Sequence, residues 1–309
     1  MPAIVAKNIS KNYKDVKALE NVSLAVEPGE LFGLIGPDGA GKSTLFRILT
    51  TLLLSDEGEG TIVGHPIIRD YKEIRKKVGY MPGKFSLYQD LSVEENLTFF
   101  ATIFGTTIEA NYDLIADIYV QIEPFKKRLA GKLSGGMKQK LALCCALIHK
   151  PEVLFLDEPT TGVDAVSRKE FWEMLQRLKE KGIAILVSTP YMDEAELCDR
   201  IALIQHGRIL KTDSPENLMR SYVHPLYAIK SKDIHGLLKE LRSLDITRSA
   251  LPFGGYLHWS TKNPIPLSEF KAKLEGLGLL QVEIKKIKAT VEDVFLELSD
   301  METIKSEEI

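Results

Sequence analysis

The chain has 309 residues, 44% of them hydrophobic and 27% charged, which is ordinary for a globular protein of about two domains. Its net charge of −3 gives no overall basic field that would attract nucleic acid or anionic lipid, so no nucleic-acid partner is expected. No apolar run approaches the ~20 residues that cross a bilayer, and the N-terminus lacks the pattern of a secretory signal.

Residues 3–30 alternate between apolar and polar positions, with breaks at Asn12, Asp15 and Pro28-Gly29. This pattern predicts short antiparallel strands at the edge of a core. Tyr13 lies in one of the breaks. Its ring could stack on a purine or could cover the core at a strand end, and the local pattern favours neither interpretation.

A glycine-rich stretch fits G-x-x-x-x-G-K-[ST] and lies between the apolar run 31–35 and the helical pattern 45–49. It consists of Gly36, Pro37, Asp38, Gly39, Ala40, Gly41, Lys42, Ser43 and Thr44. A strand before and a helix after the stretch favour a phosphate-binding loop over an ordinary glycine-rich turn.

Glycines allow such a loop to curl so that several backbone N–H groups converge on phosphate, and the helix that follows adds its positive end. In this motif Lys42 would reach the β- and γ-phosphates, and the hydroxyl of Ser43 would hold Mg²⁺.

The next segment predicts a strand at 61–64, a helix at 71–77 and a strand at 78–81 that Pro82-Gly83 ends. Ser92 and Glu95 have the form of a capping box, which predicts a helix through about Phe104. Residues 108–130 also have a helical pattern, broken by Pro124, so an all-helical insert is predicted here.

Ser134, Gly135 and Gly136 open another helical pattern, which continues through Ile148. Ser134 is a good N-cap, and two glycines would leave the helix N-terminus bare, as an anion site requires. Alone this triplet is a weak signal, because such triplets are commonly plain turns. The helix includes two of the three cysteines, which have no metal or redox spacing and are expected to be buried thiols.

Four apolar residues at 153–156 predict a central strand, and Asp157 and Glu158 follow at its C-terminal end. Ligands of α/β proteins bind at this edge of the sheet. The positions suggest that Asp157 holds Mg²⁺ through water and that Glu158 is the general base toward an attacking water.

Asp164 is expected to cap a helix at about 165–181, and a buried strand at 183–187 leads to Ser188-Thr189-Pro190. Pro190 is expected in the first turn of a helix. From about 223 the predicted order becomes β-α-β-β-α-β, the ferredoxin-like order, followed by a helix that begins at Thr290.

With these three motifs in this order, residues 3–220 resemble the nucleotide-binding subunit of ATP-binding cassette (ABC) transporters. The stretch Thr290–Leu298 looks like the closing helix of the multidrug and ABC-2-type exporter ATPases. The resemblance implies an α/β P-loop NTPase with an antiparallel β-subdomain and a helical signature subdomain. The expected domains are 1–222, with the helical subdomain at about 92–150, then a small α+β domain at 223–300 and a polar tail at 301–309.

By that resemblance, Tyr13 would stack on adenine, the loop would hold the phosphates of ATP, and Asp157 and Glu158 would serve Mg²⁺ and the catalytic water. Ser134, Gly135 and Gly136 would face the ATP of a second subunit, since two such domains close head to tail over two ATPs. Asp164 resembles the residue that links the two sites.

Two positions depart from the family pattern. Gly83 stands where the family usually has Gln, and Pro190 stands where it usually has a His that contacts γ-phosphate. Asp38, where the family often has Asn, is a smaller departure. Loss of one preorganised donor typically costs on the order of 10²–10³ in rate, so slow hydrolysis is predicted unless a neighbouring group or a partner compensates.

The first hypothesis is an ATPase subunit that powers an ABC-2-type exporter at the cytoplasmic face of the membrane. It would act through a separate permease, contacted by the segment Phe85 to Asn96, and with a second ATP-binding domain in a homodimer or heterodimer. The alternative is a regulatory or structural ATP-binding subunit with little turnover, paired with a competent ATPase. A soluble cassette ATPase of translation or DNA repair is disfavoured, because the chain has one cassette and no heptad stretch.

Overall fold

The structure is a computed structural model that describes residues 1–84, 86–277, 279 and 281–307, and it contains two compact units. Of the described residues, the first unit holds Met1–Pro215 together with 302–307, and the second holds Glu216–Met301. Among the described residues, no helix is both long enough and apolar enough to cross a bilayer.

The first unit is built from two sheets and a group of helices. Its strands are β1 (Ile4–Tyr13), β2 (Val16–Val26), β3 (Leu31–Ile35), β4 (Glu57–Ile62), β5 (His65–Pro66), β6 (Val78–Met81), β7 (Val153–Asp157), β8 (Ala184–Thr189), β9 (Arg200–Gln205) and β10 (Arg208–Asp213). Its helices are α1 (Lys42–Leu49), α2 (Tyr71–Lys77), α3 (Val93–Ile103), α4 (Tyr112–Tyr119), α5 (Gly135–Leu147) and α6 (Ala165–Glu180), and α7 (Pro215–Arg220) follows at the boundary.

The larger sheet has the order β10-β9-β3-β8-β7-β6, in which every pair is parallel except the edge pair β9 and β10. Strands β3, β7 and β8 are buried along their whole length, as expected of a parallel sheet covered on both faces. Because parallel strands end at the same edge, the loop after β3 and the carboxylates at the end of β7 lie at one edge of the sheet.

The smaller sheet has the order β2-β1-β4-β5 and is antiparallel. The hairpin of β1 and β2 confirms the antiparallel strands predicted for residues 3–30. Its apolar side chains share a core with α1, where Phe46 meets Phe155 of β7 edge to face with a centroid separation of 5.7 Å.

The stretch 108–130 is helical and interrupted, as predicted, but its helices are short: α4 lies between 3₁₀ helices at Glu109–Asn111 and Glu123–Phe125, the second of which contains Pro124. The structure corrects one prediction of local structure. Pro190 does not lie in the first turn of a helix, since the following 3₁₀ helix begins at Met192.

The second unit has the order β-α-β-β-α-β and a four-stranded antiparallel sheet, β12-β13-β11-β14. Its elements are β11 (Leu226–Lys230), α8 (Ile234–Ser243), β12 (Thr247–Phe253), β13 (Tyr256–Thr261), α9 (Leu267–Gly276) and β14 (Glu283–Lys286), and α10 (Val291–Glu307) begins in this unit. Trp259 is fully buried at the centre of its core, stacked on Phe270 of α9.

Candidate active site

The glycine-rich loop between β3 and α1 is held between two other strands. A methyl group built on Gly36 would lie 2.1 Å from the carbonyl oxygen of Ile204, and one on Gly41 would lie 2.4 Å from that of Ala18. Gly41 also has a φ of +104°, which strongly favours glycine. The backbone can therefore follow this path only with glycine at both positions.

Residues 37–39 are exposed at the tip of the loop, and α1 begins directly after it. Gly41 is the N-cap of α1 and has no side chain with which to cap the first amides of the helix. Ser43 and Thr44 are half-buried in the first turn. Free amides and a positive helix end suit this loop to a phosphate group.

Lys42 is buried, with 3% of its side chain exposed, and it points into the loop. Its Nζ donates to the carbonyl oxygens of Gly36 and Pro37, both at 2.9 Å, and lies 3.2 Å from Oε1 of Glu158. The structure thus brings the loop lysine and the predicted general base into one ion pair.

Glu158 has an unusual backbone conformation. Its φ of +51° lies in the left-handed region, which costs a non-glycine residue roughly 1–2 kcal/mol. Its N–H donates to both the carbonyl oxygen and Oγ of Ser188, each at 3.1 Å. The end of β8 therefore fixes the turn in which the carboxylate is held.

Asp157 is 4% exposed and accepts a hydrogen bond from Oγ of Ser188 at 2.6 Å. Ser188 thus contacts both acidic residues, and sequence reasoning assigned it no role. The sequence feature that could have indicated this role is its position at the end of the neighbouring buried strand.

Burial, together with the charge of Asp157, raises the pKa of Tyr80 on β6 to about 12.

The donor set at this edge fits Mg²⁺, because the hydroxyl of Ser43 and the carboxylate of Asp157 are the hard oxygen ligands that this ion prefers. A buried carboxylate also needs hydrogen bonds or a cation to offset its desolvation, and Ser188 supplies one such bond.

One of the two departures from the family pattern, Gly83, lies against Asp157. A methyl group on Gly83 would be 3.1 Å from the carbonyl oxygen of Asp157, so any side chain here presses on that backbone. Pro190 follows Thr189, which ends β8 one residue beyond Ser188. The ring of Pro190 provides neither a donor nor a base at this position.

Tyr13 ends β1, where it pairs with Val16 across the hairpin, and it is 43% exposed. The second strand of this hairpin also contains Ala18, whose carbonyl lies against Gly41. The hairpin therefore carries an exposed aromatic ring on the same strands that support the loop.

The predicted signature triplet forms a second cluster. Ser134 caps α5 by accepting from the N–H of Met137 at 3.3 Å, as predicted. Ser134 and Gly135 are exposed, whereas Gly136 is buried against α6: a methyl group on it would lie 2.6 Å from Oγ of Ser167. Gly135 faces Gly162, so the triplet packs against the start of α6.

Asp164 caps α6 as predicted, with Oδ1 accepting from the N–H groups of Val166 and Ser167 at 3.1 and 3.0 Å. These hydrogen bonds, that from Ser167 above all, lower the pKa of the Asp164 carboxyl. The cap fixes the start of α6, which is the surface that Gly136 contacts.

The segment Phe85 to Asn96, which precedes α3 and includes its first turn, is predicted to contact a permease, and Phe85 itself lies outside the described residues. Asn96 is fully buried, and its side-chain amide donates hydrogen bonds to the carbonyls of Tyr88, Leu91 and Ser92. These bonds hold the backbone of residues 88–92 in place. Beside the segment lies a groove of about 400 Å³ with an apolar lining that includes Leu52, Val78, Leu87, Phe100, Ile103 and Phe104.

Comparison with known proteins gives matches over most of the chain. Residues 19–161 match the family model described as ABC transporter. A probable multidrug ABC transporter ATP-binding protein of Escherichia coli K12 is 41% identical over 217 residues, which are 70% of this chain but only 38% of that protein. The Nod factor export ATP-binding protein I of Burkholderia orbicola is 36% identical over 300 residues, 96% of each chain.

Solved structures give the same fold over about 70% of the chain. The structure of an ATP-binding subunit of an ABC transporter is 27% identical with a TM-score of 0.65, covering 71% of this chain and 93% of its own. A dimeric post-hydrolysis state of an ATP-binding cassette, bound to ADP and Pi, is 27% identical with a TM-score of 0.62, covering 68% and 98%.

Proposed function

The chain belongs to the ABC transporter family of ATP-binding proteins, and we propose that it binds and hydrolyses ATP to power export through a separate membrane subunit. The observation that carries this proposal is the meeting of Lys42, from the phosphate loop, with Glu158, beside Asp157, at one edge of the sheet. The export role is supported by the names of the two relatives, one a multidrug and one a Nod factor export protein.

In the proposed reaction, the amides of the loop and Lys42 hold the phosphate chain of ATP. Ser43 and Asp157 would hold Mg²⁺, which neutralises phosphate charge when it is bound. Glu158 takes the proton of the attacking water, for which its carboxylate must first leave Lys42. Tyr13, exposed on the supporting hairpin, would stack on the adenine ring.

We further propose that the second half of each site comes from another ATP-binding domain, an identical or a different chain. Ser134, Gly135 and Gly136 would face the γ-phosphate that the other subunit holds, and Asp164 would connect the two sites. The dimeric relative supports this arrangement. The amides of α5 would then complete the cage around the transferred phosphoryl group.

The apolar groove lined in part by Leu87 is our candidate for the contact with the permease. Ile103, which lines it, is 60% exposed, and Tyr88, next to Leu87 in the chain, is 50% exposed. Tyr88 is braced by an edge-to-face contact with Phe99, with the ring centroids 4.7 Å apart. Docking here would place the protein at the cytoplasmic face of the membrane.

Gly83 and Pro190 favour a second candidate, a regulatory or structural subunit that binds ATP but turns over slowly beside a competent ATPase. Both replace polar groups next to Asp157 and Ser188, and Pro190 provides no imidazole for the transition state. The intact Glu158 favours retained hydrolysis over complete loss.

The test is equilibrium ATP binding and steady-state hydrolysis by the purified chain, beside Lys42→Ala. Loss of the ammonium should weaken ATP binding by about 100-fold or more, since charge-assisted hydrogen bonds to phosphate are among the strongest polar contacts. Lys169→Ala, which removes an exposed lysine, is the control. Normal ATP affinity in Lys42→Ala would refute the phosphate-loop assignment.

A further inference from the structure

Glu194 is a buried carboxylate that the proposed reaction does not use. It lies in the 3₁₀ helix Met192–Leu197 and is 2% exposed. Oε1 accepts from Oγ1 of Thr160 at 2.7 Å, and Oε2 accepts from Oγ1 of Thr189 at 2.5 Å. Burial of a charged group is unfavourable unless it is hydrogen-bonded or paired, and this carboxylate has a bond at each oxygen.

The two threonines flank the catalytic turn. Thr160 is two residues beyond Glu158, and Thr189 directly follows Ser188, which holds the N–H of Glu158. Both threonines are buried, at 2% and 0% exposure. The carboxylate of Glu194 therefore links the turn after β7, at Thr160, to the end of β8, at Thr189. This link is separate from the hydrogen bonds that Ser188 makes.

Glu194 also faces α6. Its Oε1 lies 3.7 Å from a guanidinium nitrogen of Arg168, whose helix begins at the Asp164 cap. Arg168 lies over the ring of Tyr191, whose N–H donates to Oγ1 of Thr189 at 3.0 Å. One buried acid thus connects the catalytic turn, the end of β8 and the helix that supports the signature triplet.

We propose that Glu194 is a positioning residue for ATP hydrolysis, acting through Thr160 and Thr189 to hold Glu158 in its strained orientation toward the attacking water. The turn needs such support because Glu158 has a φ of +51°. Glu194 contacts no nucleotide in this proposal, so it affects turnover and leaves affinity unchanged. The inference rests on the proposed hydrolysis of ATP.

The test removes the hydroxyls and keeps the side-chain volume, with Thr160→Val and Thr189→Val in the full chain. We expect kcat to fall about 10- to 100-fold, as small misplacements of a catalytic group do, while the Kd for ATP changes less than about twofold. Thr160→Ser should keep kcat within about threefold of the natural rate, because it retains the hydroxyl and its hydrogen bond.

Thr261→Val is the matched control, since Thr261 is fully buried in the second unit and donates a side-chain hydrogen bond to the carbonyl of Asn263. It should lower the melting temperature by a similar amount and leave kcat unchanged. A kcat that Thr160→Val and Thr189→Val leave unchanged, or that falls equally in Thr261→Val, overturns the positioning role.

Glu158→Gln, assayed alongside, separates this inference from the proposed function. If Glu158→Gln abolishes turnover and the threonine variants do not alter it, only the positioning role fails. If the natural chain binds no ATP, or its turnover does not depend on Glu158, the proposed function fails and the inference fails with it.

Discussion

The ammonium of Lys42 lies 3.2 Å from the carboxylate of Glu158, so the residue expected to hold phosphate is paired with the residue expected to activate water. Both groups are largely shielded from solvent, at 3% and 23% side-chain exposure. On the proposed function, a phosphate chain in the loop would compete with Glu158 for Lys42. Nucleotide binding and release of the carboxylate would then be one coupled event.

This coupling predicts the behaviour of Glu158→Gln. The variant removes the competing charge and its repulsion of phosphate, so we expect a non-hydrolysable ATP analogue to bind about 3- to 10-fold more tightly, or about 1 kcal/mol. Turnover of ATP should be lost, and a closed dimer should accumulate. Equilibrium titration and size-exclusion chromatography measure both effects.

Glu152→Gln is the control for that experiment, since Glu152 pairs with Lys77 away from the loop and is half exposed. It should change neither affinity nor turnover. Weaker or equal analogue binding by Glu158→Gln would show that the ion pair does not compete with phosphate. Unchanged turnover would place the base elsewhere.

The contact between Gly136 and Ser167 predicts a steric effect at the signature. Gly136→Ala places a methyl group 2.6 Å from Oγ of Ser167, and overpacking of this kind costs about 1–3 kcal/mol of the free energy of unfolding. We expect chemical denaturation to show that loss. ATP-dependent dimerisation should weaken as α5 moves away from α6.

Ser167→Gly in the Gly136→Ala background should recover most of the lost free energy of unfolding, because it removes the Ser167 side-chain atoms that the added methyl group meets. Gly276→Ala is the neutral comparison, as a methyl group there meets no atom within 4 Å. If Gly136→Ala is as stable as the natural chain, the packing of α5 against α6 does not require glycine at position 136.

Much of the fold and part of the site follow from local pattern. Strand β3 at 31–35 and helix α2 at 71–77 occur where periodicity predicts them. The loop motif and the Asp157-Glu158 pair were also identified from the sequence alone, because each requires only neighbouring residues and a strand–turn context.

Contacts between distant segments could not be predicted in this way. Ser188 and Glu194 acquire their partners because parallel strands bring residues about 30 positions apart to one edge. Burial of Gly136 depends on the packing of α5 against α6, which the triplet itself does not reveal.

The three cysteines are predicted to be unreactive in the folded protein. Cys144, Cys145 and Cys198 are all buried, and burial raises the pKa of each thiol. Since the thiolate is the reactive form, a chromogenic disulfide reagent at pH 8 should find almost no fast-reacting thiol until denaturant is added. Val223→Cys, at a position 80% exposed, should supply one fast-reacting thiol as the positive control. Rapid reaction of the natural chain would contradict this burial.

The decisive prediction for the rate concerns Pro190. An imidazole here would supply the donor that a proline ring lacks, and a single preorganised donor is worth on the order of 10²–10³ in rate. If the natural chain is slow, Pro190→His should raise kcat at least ~10-fold with little change in ATP affinity. Steady-state hydrolysis measures kcat, and equilibrium binding measures the affinity for ATP.

Pro190→Gln separates the imidazole from release of the proline ring, since both variants free the backbone after Thr189. An equal gain in both variants would assign the effect to the backbone. Gly83→Gln added to Pro190→His tests the second departure, with Gly83→Ala as the control for crowding of Asp157, whose carbonyl is 3.1 Å from the added methyl group. Brisk hydrolysis by the natural chain, unchanged by any of these substitutions, would mean that Glu158 suffices at this site and would favour the ordinary transporter motor over the regulatory subunit.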